Sequence, residues 1–322
     1  MGPGAPDVLV LRALGIGDLC TAVPALRGIR RGWPGHRVVL AAPGWLRPLV
    51  DTLDAVDVLL ATPELGPPPY AGPPQVAVNL HGRGPQSTGL LRDLGPDLLV
   101  AFAHPELPQV TGPRWWPGEP EVARWCRLVA STGRPADPAD RTLPPPAYPA
   151  PAPGAVVVHP GAKDPDRRWP AERFAAVAAA LADAGAQVVV TGSPAEAPLA
   201  AAVAAAAGLP ADHVLAGATC VGELAAQVAA ARLLVSGDTG AAHLAAAYGT
   251  ASVTVFGTQS PAVWGPPPGN PRHVALWAGA DRPPAEALSA VPVAEVLDAA
   301  TGLLAGYPGS VSPPTGASTS PV

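Results

Sequence analysis

The chain has 322 residues, 48% of them hydrophobic, and a formal net charge of -5. That length exceeds one ordinary hydrophobic core and suits two domains of roughly 150 residues each. The acidic balance argues against a nucleic-acid binder, which would carry a basic stripe. Cys20, Cys126 and Cys220 share no metal-ligand spacing and read as small buried hydrophobes in a reducing compartment. Of the 20 basic residues only Lys163 is a lysine, and 45 prolines accompany abundant alanine. Such a composition suits GC-rich coding, so much of the Ala and Pro is background.

No basic segment precedes an apolar run at the N-terminus. The run Val8 to Leu11 is too short for a signal peptide or a membrane span, so a cytoplasmic enzyme is expected. That strand leads to a helix at 19–31, a strand at 38–42, a helix at 44–53 and a strand at 56–60. Strand 76–80, helix 86–94 and strand 98–102 continue the alternation. Residues 134–154, rich in proline, fit neither a helix interior nor a central strand and mark a stiff linker. Strands are then expected at 156–159, 187–191, 213–215, 233–236, 252–256 and 273–277. Helices lie between them at 171–184, 195–207, 221–231 and 240–248, with a last one at 293–304. The expected division is 1–150, 151–305 and a disordered Ser/Pro/Gly/Thr-rich tail at 306–322. Apolar strands alternating with helices imply an α/β fold with parallel sheets covered on both faces. Ligands are then expected just beyond the carboxyl ends of strands.

Gly15-Ile16-Gly17-Asp18 closes the first strand. A dinucleotide motif needs a glycine at position 20, where Cys20 stands, and an acid where Ala42-Pro43 stands, so NAD binding is disfavoured. No Walker A motif occurs. Asp18 at a helix mouth reads as a cap or as a base able to take a proton from a hydroxyl. His159-Pro160-Gly161-Ala162-Lys163 leads to Asp164, Asp166, Arg167 and Arg168. Its cations suit a diphosphate or merely face solvent. Asp164 and Asp166 spell a D-x-D, but two adjacent arginines disfavour a metal. Glu196, after Thr191-Gly192-Ser193-Pro194-Ala195, reads as a ribose ligand or a first-turn acid. Asp238-Thr239-Gly240-Ala241-Ala242-His243 joins a strand to a helix of small residues, whose backbone N–H groups a phosphate can approach. There Asp238 reads as a cap or as part of a site.

These blocks, with Phe256-Gly257-Thr258, resemble glycosyltransferase family 9, the heptosyltransferase family, in order over about residues 8 to 305. The resemblance implies a GT-B architecture: two Rossmann-like doubly wound domains facing a cleft, acceptor in the first and nucleotide sugar in the second. It implies inverting, metal-independent transfer of a sugar, most simply a heptose, from an ADP-sugar to a glycan or lipid-linked hydroxyl, with no cofactor. Asp18 would be the general base, Arg167 would neutralise the leaving diphosphate, and Asp238 would lie near the sugar. Gly17, Lys163, Glu196, Thr239, Gly240 and His243 would hold the donor. Apart from the resemblance, the loop from Asn79 to Ser87 after the 76–80 strand, with His81 and Arg83, reads as an acceptor contact or as an ordinary βα connection.

Two departures stand out. Arg167 replaces the Lys common in the family, and Ala251 replaces a common proline. The composition fits a source without lipopolysaccharide, so another glycan or a small natural product remains open as acceptor. Peripheral membrane contact and oligomeric state stay open too. The rivals are a sugar-nucleotide epimerase of the same fold and a non-catalytic nucleotide-binding homologue.

Overall fold

The computed structural model describes residues 5–279 and 282–306. The tail expected to be disordered lies, from residue 307 on, outside the described residues. Two five-stranded parallel sheets form the framework. The first contains β1 (Asp7–Leu11), β2 (Arg37–Ala42), β3 (Val58–Ala61), β4 (Val76–Asn79) and β5 (Leu98–Val100). Its helices are α1 (Ile16–Gly32), α2 (Arg47–Val50), α3 (Gln86–Arg92) and α4 (Glu121–Ala130). The second sheet contains β6 (Val156–His159), β7 (Val188–Val190), β8 (Leu233–Gly237), β9 (Ser252–Phe256) and β10 (His273–Trp277). With it go α5 (Ala171–Asp183), α6 (Ala197–Ala206), α7 (Val221–Ala229), α8 (Gly240–Tyr248), α9 (Pro261–Trp264), α10 (Pro284–Ser289) and α11 (Val293–Ala305).

The strand orders differ. The first sheet runs β3-β2-β1-β4-β5, the second β10-β9-β8-β6-β7. Chain direction therefore switches between β1 and β4 in one sheet and between β6 and β8 in the other. Such switch points open a crevice at the carboxyl ends of their strands. Strands such as Val8 to Leu11 and Val156 to Val158 are fully apolar because both faces are covered.

Packing makes the two sheets one body. The buried cluster around Val8, Val10, Leu26 and Leu40 continues without interruption into Ala241, Leu244 and Ala245 of α8. A second cluster fills the other face of β6 and β8, under α5, α6 and α11. The helices α1 and α8 touch at their heads because two glycines remove bulk there. A Cβ on Gly17 would stand 2.6 Å from His243 Cδ2, and one on Gly240 2.8 Å from Ile16 Cβ. Gly15 and Gly17 do not adopt positive φ. Close approach of the two domains at Gly17, rather than a tight turn, is what glycine supplies there.

The proline-rich linker is strapped along both halves. Arg134 stacks over Trp33 and donates to Gly32 O at 2.8 Å. Asp140 pairs with Arg27 and Arg31, and Ala152 exchanges two hydrogen bonds with Gln227.

Several expectations need correction. The 44–53 helix is a short 3-10 turn, Gly44–Leu46, followed by the four-residue α2. The 213–215 strand is a 3-10 turn, Ala211–His213, then a single bridge from Val214 to Val190. Cys220 is exposed at the head of α7, where its Sγ accepts from Glu223 N–H, whereas Cys20 and Cys126 are buried. The sequence reading had no element at α4, α9 or α10.

Candidate active site

The crevices of the two sheets face each other across a cleft of about 510 Å³. Its first wall is Leu14 to Asp18 with Trp45 and Glu64. Its second is Ala162, Lys163, Arg167, the Asp238–Gly240 turn and His243. Gly17, Asp18, Lys163, Arg167, Asp238, Thr239, Gly240 and His243 thus share one cleft. A larger cavity of about 750 Å³ lies between the linker and α8, but no carboxylate lines it. The smaller cleft gathers the reactive groups.

Asp18 stands in the first turn of α1, three residues after the N-cap position that Gly15 fills. Its Oδ2 accepts the Gly15 N–H at 3.2 Å. Its Oδ1 lies 3.3 Å from Nη2 of Arg12, which is only 1% exposed. The same Nη2 is 3.3 Å from Oε1 of buried Glu121 on α4 and donates to Thr21 Oγ1 at 3.0 Å. Arg12 also donates from Nε to the Asp18 carbonyl at 2.9 Å and from Nη1 to the Leu80 carbonyl. Glu121 in turn accepts Trp125 Nε1–H at 2.7 Å and pairs with Arg124. Asp18 therefore takes part in capping and still opens into the cleft.

Opposite, Arg167 Nη2 donates to Asp238 Oδ2 at 2.6 Å and to the Asp238 carbonyl at 3.1 Å. Asp238 is not the cap of α8. Thr239 holds that position but makes no capping bond, and its Oγ1 is buried without a partner. An uncapped helix head presents free N–H groups and a positive dipole end, which suits an anion. His243, one turn in, has its Nε2 4.0 Å from Asp238 Oδ1. Burial pushes its pKa below the usual imidazole range, against the pull of Asp238 and Asp18. Lys163 Nζ reaches across the cleft to Glu64 Oε1 at 2.8 Å, with both side chains largely exposed. Arg168 turns away and donates twice to the Ala162 carbonyl, fixing the loop that carries Lys163.

Three expected residues do not line the cleft. Glu196 sits beyond β7, where its Oε2 accepts from Ser193 N–H and Oγ, each at 2.8 Å. It packs against Gly161, where an added Cβ would lie 2.3 Å from its carboxyl carbon. His81 and Arg83 stay on the loop after β4. The His81 backbone N–H donates to Asn79 Oδ1 at 3.0 Å, and its pKa is lowered by burial and then by the Arg12 cation. Sequence reading missed Arg12, Trp45, Glu64 and Glu121. Arg12 had a signal: a lone arginine ending an all-apolar strand requires a buried carboxylate partner. Among the described residues no group of three or more His, Cys, Asp or Glu side chains gathers to hold a metal, and no helix is long and apolar enough to cross a membrane.

Residues 135–290 match the model of glycosyltransferase family 9 (heptosyltransferase). A comparison with curated protein sequences finds no significant match. Among solved structures, the glycosyl transferase family 9 protein from Veillonella parvula superposes with a TM-score of 0.77 at 18% identity, over 95% of this chain and 99% of that one. E. coli ADP-heptose LPS heptosyltransferase II gives 0.74 at 19% identity, over 93% and 98%. E. coli heptosyltransferase WaaC, solved with ADP, gives 0.70 at 19% identity, over 92% and 99%. The fold is thus GT-B. The match to the family model covers residues 135–290, and the likeness in fold to heptosyltransferases covers nearly the whole chain.

Proposed function

We propose that the chain transfers a heptose from an ADP-linked donor to an acceptor hydroxyl, with inversion and without a metal. One observation carries this reading: a carboxylate and a cationic, uncapped helix head face each other across one cleft. The acceptor oxygen attacks the anomeric carbon and gives its proton to Asp18. The bond from that carbon to the diphosphate oxygen breaks, and its electron pair leaves with ADP. A base on one wall and a leaving-group site on the other suit a single in-line displacement, which inverts the centre.

The developing charge meets the head of α8 and Arg167, whose guanidinium Asp238 orients. Groups already aimed at a forming charge are commonly the largest catalytic contribution. These cations do the work a divalent ion does elsewhere, which supports the metal-free reading. Lys163 joins them once it leaves Glu64. Glu196, beyond β7, would have to be reached by the ribose end of the nucleotide.

The acceptor belongs on the first wall. Trp45, 55% exposed at the cleft mouth beside Glu64, offers an aromatic face and a carboxylate to a sugar ring. This wall replaces His81 and Arg83 as the acceptor contact, and a glycan or lipid-linked glycan is the acceptor class it suits. Three unpaired cysteines support a reducing, cytoplasmic setting.

Calorimetric titration with ADP, UDP, GDP and NAD in EDTA tests the donor half. Selective ADP binding is expected. Preference for UDP or GDP would remove the ADP-heptose assignment, and binding of NAD alone would remove the donor site altogether.

A further inference from the structure

The Arg12 guanidinium stands between two carboxylates of unequal exposure. Asp18 is 27% exposed and faces the cleft, whereas Glu121 is 5% exposed and faces the core. Both contact the same nitrogen, Nη2, at the same distance, 3.3 Å. A guanidinium committed wholly to Asp18 would hold that carboxylate ionised and make it a poor proton acceptor. A bare Asp18, with no cation behind it, would accept protons readily but lose the fixed orientation of Oδ1. Here the cation is shared between the two carboxylates.

From this geometry we infer that Glu121 and Arg12 are positioning residues that set the basicity of Asp18, Glu121 acting through the shared Arg12 nitrogen. The inference rests on the reading of Asp18 as general base. It concerns residues on three separate elements: the exit of β1, the head of α1 and the head of α4.

Other groups near Asp18 are quiet. Cys20, two residues on, has its thiol pushed up to about 12 by burial and is neutral. His243 at the head of α8 and His81 after β4 both have pKa values lowered by burial, which keeps them uncharged at neutral pH. Arg167, Asp238, Lys163 and Glu64 line the same cleft but are paired with each other. Among the described residues Arg12 alone makes an ion pair with Asp18. Behind it, Arg124 neutralises the remaining oxygen of Glu121, and Trp125 fixes the first by a hydrogen bond and stacks under Arg12, 4.7 Å from ring centre to guanidinium carbon. Glu121 is therefore bonded on both oxygens by groups besides Arg12.

The Asp18 carboxyl can be titrated directly, without substrate. Carbon-13 NMR of protein labelled at the aspartate carboxyl carbons would follow it, its signal assigned by loss in Asp18→Asn. Arg12→Met should raise the Asp18 midpoint by about 1 to 3 units, the usual effect of removing a contacting cation. Glu121→Gln should lower it by about 0.5 to 1 unit, because Arg12 then serves Asp18 alone. In the Arg12→Met background the Glu121→Gln shift should shrink to less than half. Where Arg12→Met fails to fold, Arg12→Lys replaces it, since lysine keeps the charge but has no fork to bridge two carboxylates. An unmoved or raised midpoint in Glu121→Gln overturns the proposal, and so does an equal shift in both backgrounds. ADP calorimetry on the same samples separates the readings: absent ADP binding would sink the donor assignment and leave the Asp18 coupling standing.

Discussion

Two Arg–Asp pairs face each other across the cleft, and they are built in opposite senses. In the first the arginine is buried and the aspartate opens to the cleft: Arg12 is 1% exposed and Asp18 27%. In the second the aspartate is buried and the arginine opens: Asp238 is 8% exposed and Arg167 42%. On the proposed reading, the exposed member of each pair is the one that meets the substrate. A carboxylate presented by a buried cation can take a proton. A cation presented by a buried carboxylate can meet a phosphate. Each buried member sits where the fold supplies further partners. Arg12 has Glu121, Thr21 and two backbone carbonyls, while Asp238 has Arg167 and the edge of His243.

Asp18→Asn breaks the first pair at its exposed member and should have the largest effect. Turnover should fall by about 10²- to 10⁴-fold, the usual worth of a general base. ADP affinity should stay within a few-fold of wild type, because the proposed diphosphate contacts lie on the other wall. Turnover and calorimetry on one preparation decide it, and retained turnover would refute the base assignment.

Arg167→Met breaks the second pair and should act differently. ADP binding should weaken about tenfold or more with the loss of a charge-assisted contact. The variant should also lose about 1 to 3 kcal/mol of stability, because Asp238 is left buried and unpaired. Adding Asp238→Asn should restore the stability but not the affinity. If thermal unfolding shows no recovery in the double variant, Asp238 is not held by Arg167 in the way its burial implies.

The contact between the two walls gives a third, smaller effect. Gly17→Ala places a methyl group against the His243 ring. It should cost about 1 to 3 kcal/mol through overpacking at the α1–α8 junction. Gly82→Ala, where nothing stands within 4 Å, is the control and should be nearly silent. Equal unfolding midpoints for the two variants would mean that the helix heads separate freely in solution.

The second pair was more legible in the sequence than the first. Asp238 to His243 is one contiguous block at a strand-to-helix junction, so its chemistry could be read locally. Arg167 was marked by its charge beside Trp169. Asp18 was marked too, but its supports are not local: Glu121 lies more than a hundred residues further on, at the head of a helix the alternation pattern had passed over. The α4 signal existed, since Glu121, Arg124, Trp125 and Leu128 recur at helical spacing, but the proline- and tryptophan-rich flanks obscured it. Trp45 and Glu64 were hidden differently. They belong to turns after β2 and β3, and only the sheet order brings those turns to the wall beside β1. Periodicity fixes which segments are strands, but not which strand ends become neighbours. The linker was marked by its prolines, yet its contacts with Trp33, Arg27 and Gln227 depend on surfaces that form only on folding.

The smallest effect concerns two histidines of the second half whose pKa values burial lowers. His159, at the carboxyl end of β6, is buried with its Nδ1 3.0 Å from Thr191 Oγ1, and burial lowers its pKa despite nearby Glu196. His243 is lowered in the same way. A histidine kept neutral by the fold binds a proton more readily in the unfolded chain. The contribution is therefore complete above the unfolded value of about 6.5 and is lost as pH falls below it, at about 1.4 kcal/mol per pH unit for each such group. Unfolding midpoints should consequently drop between pH 7 and pH 5. His159→Gln, which keeps a hydrogen-bonding side chain but cannot titrate, should flatten that drop by one proton's worth. A His159→Gln variant as acid-sensitive as wild type would show that protonation of the second wall is tolerated in the folded state.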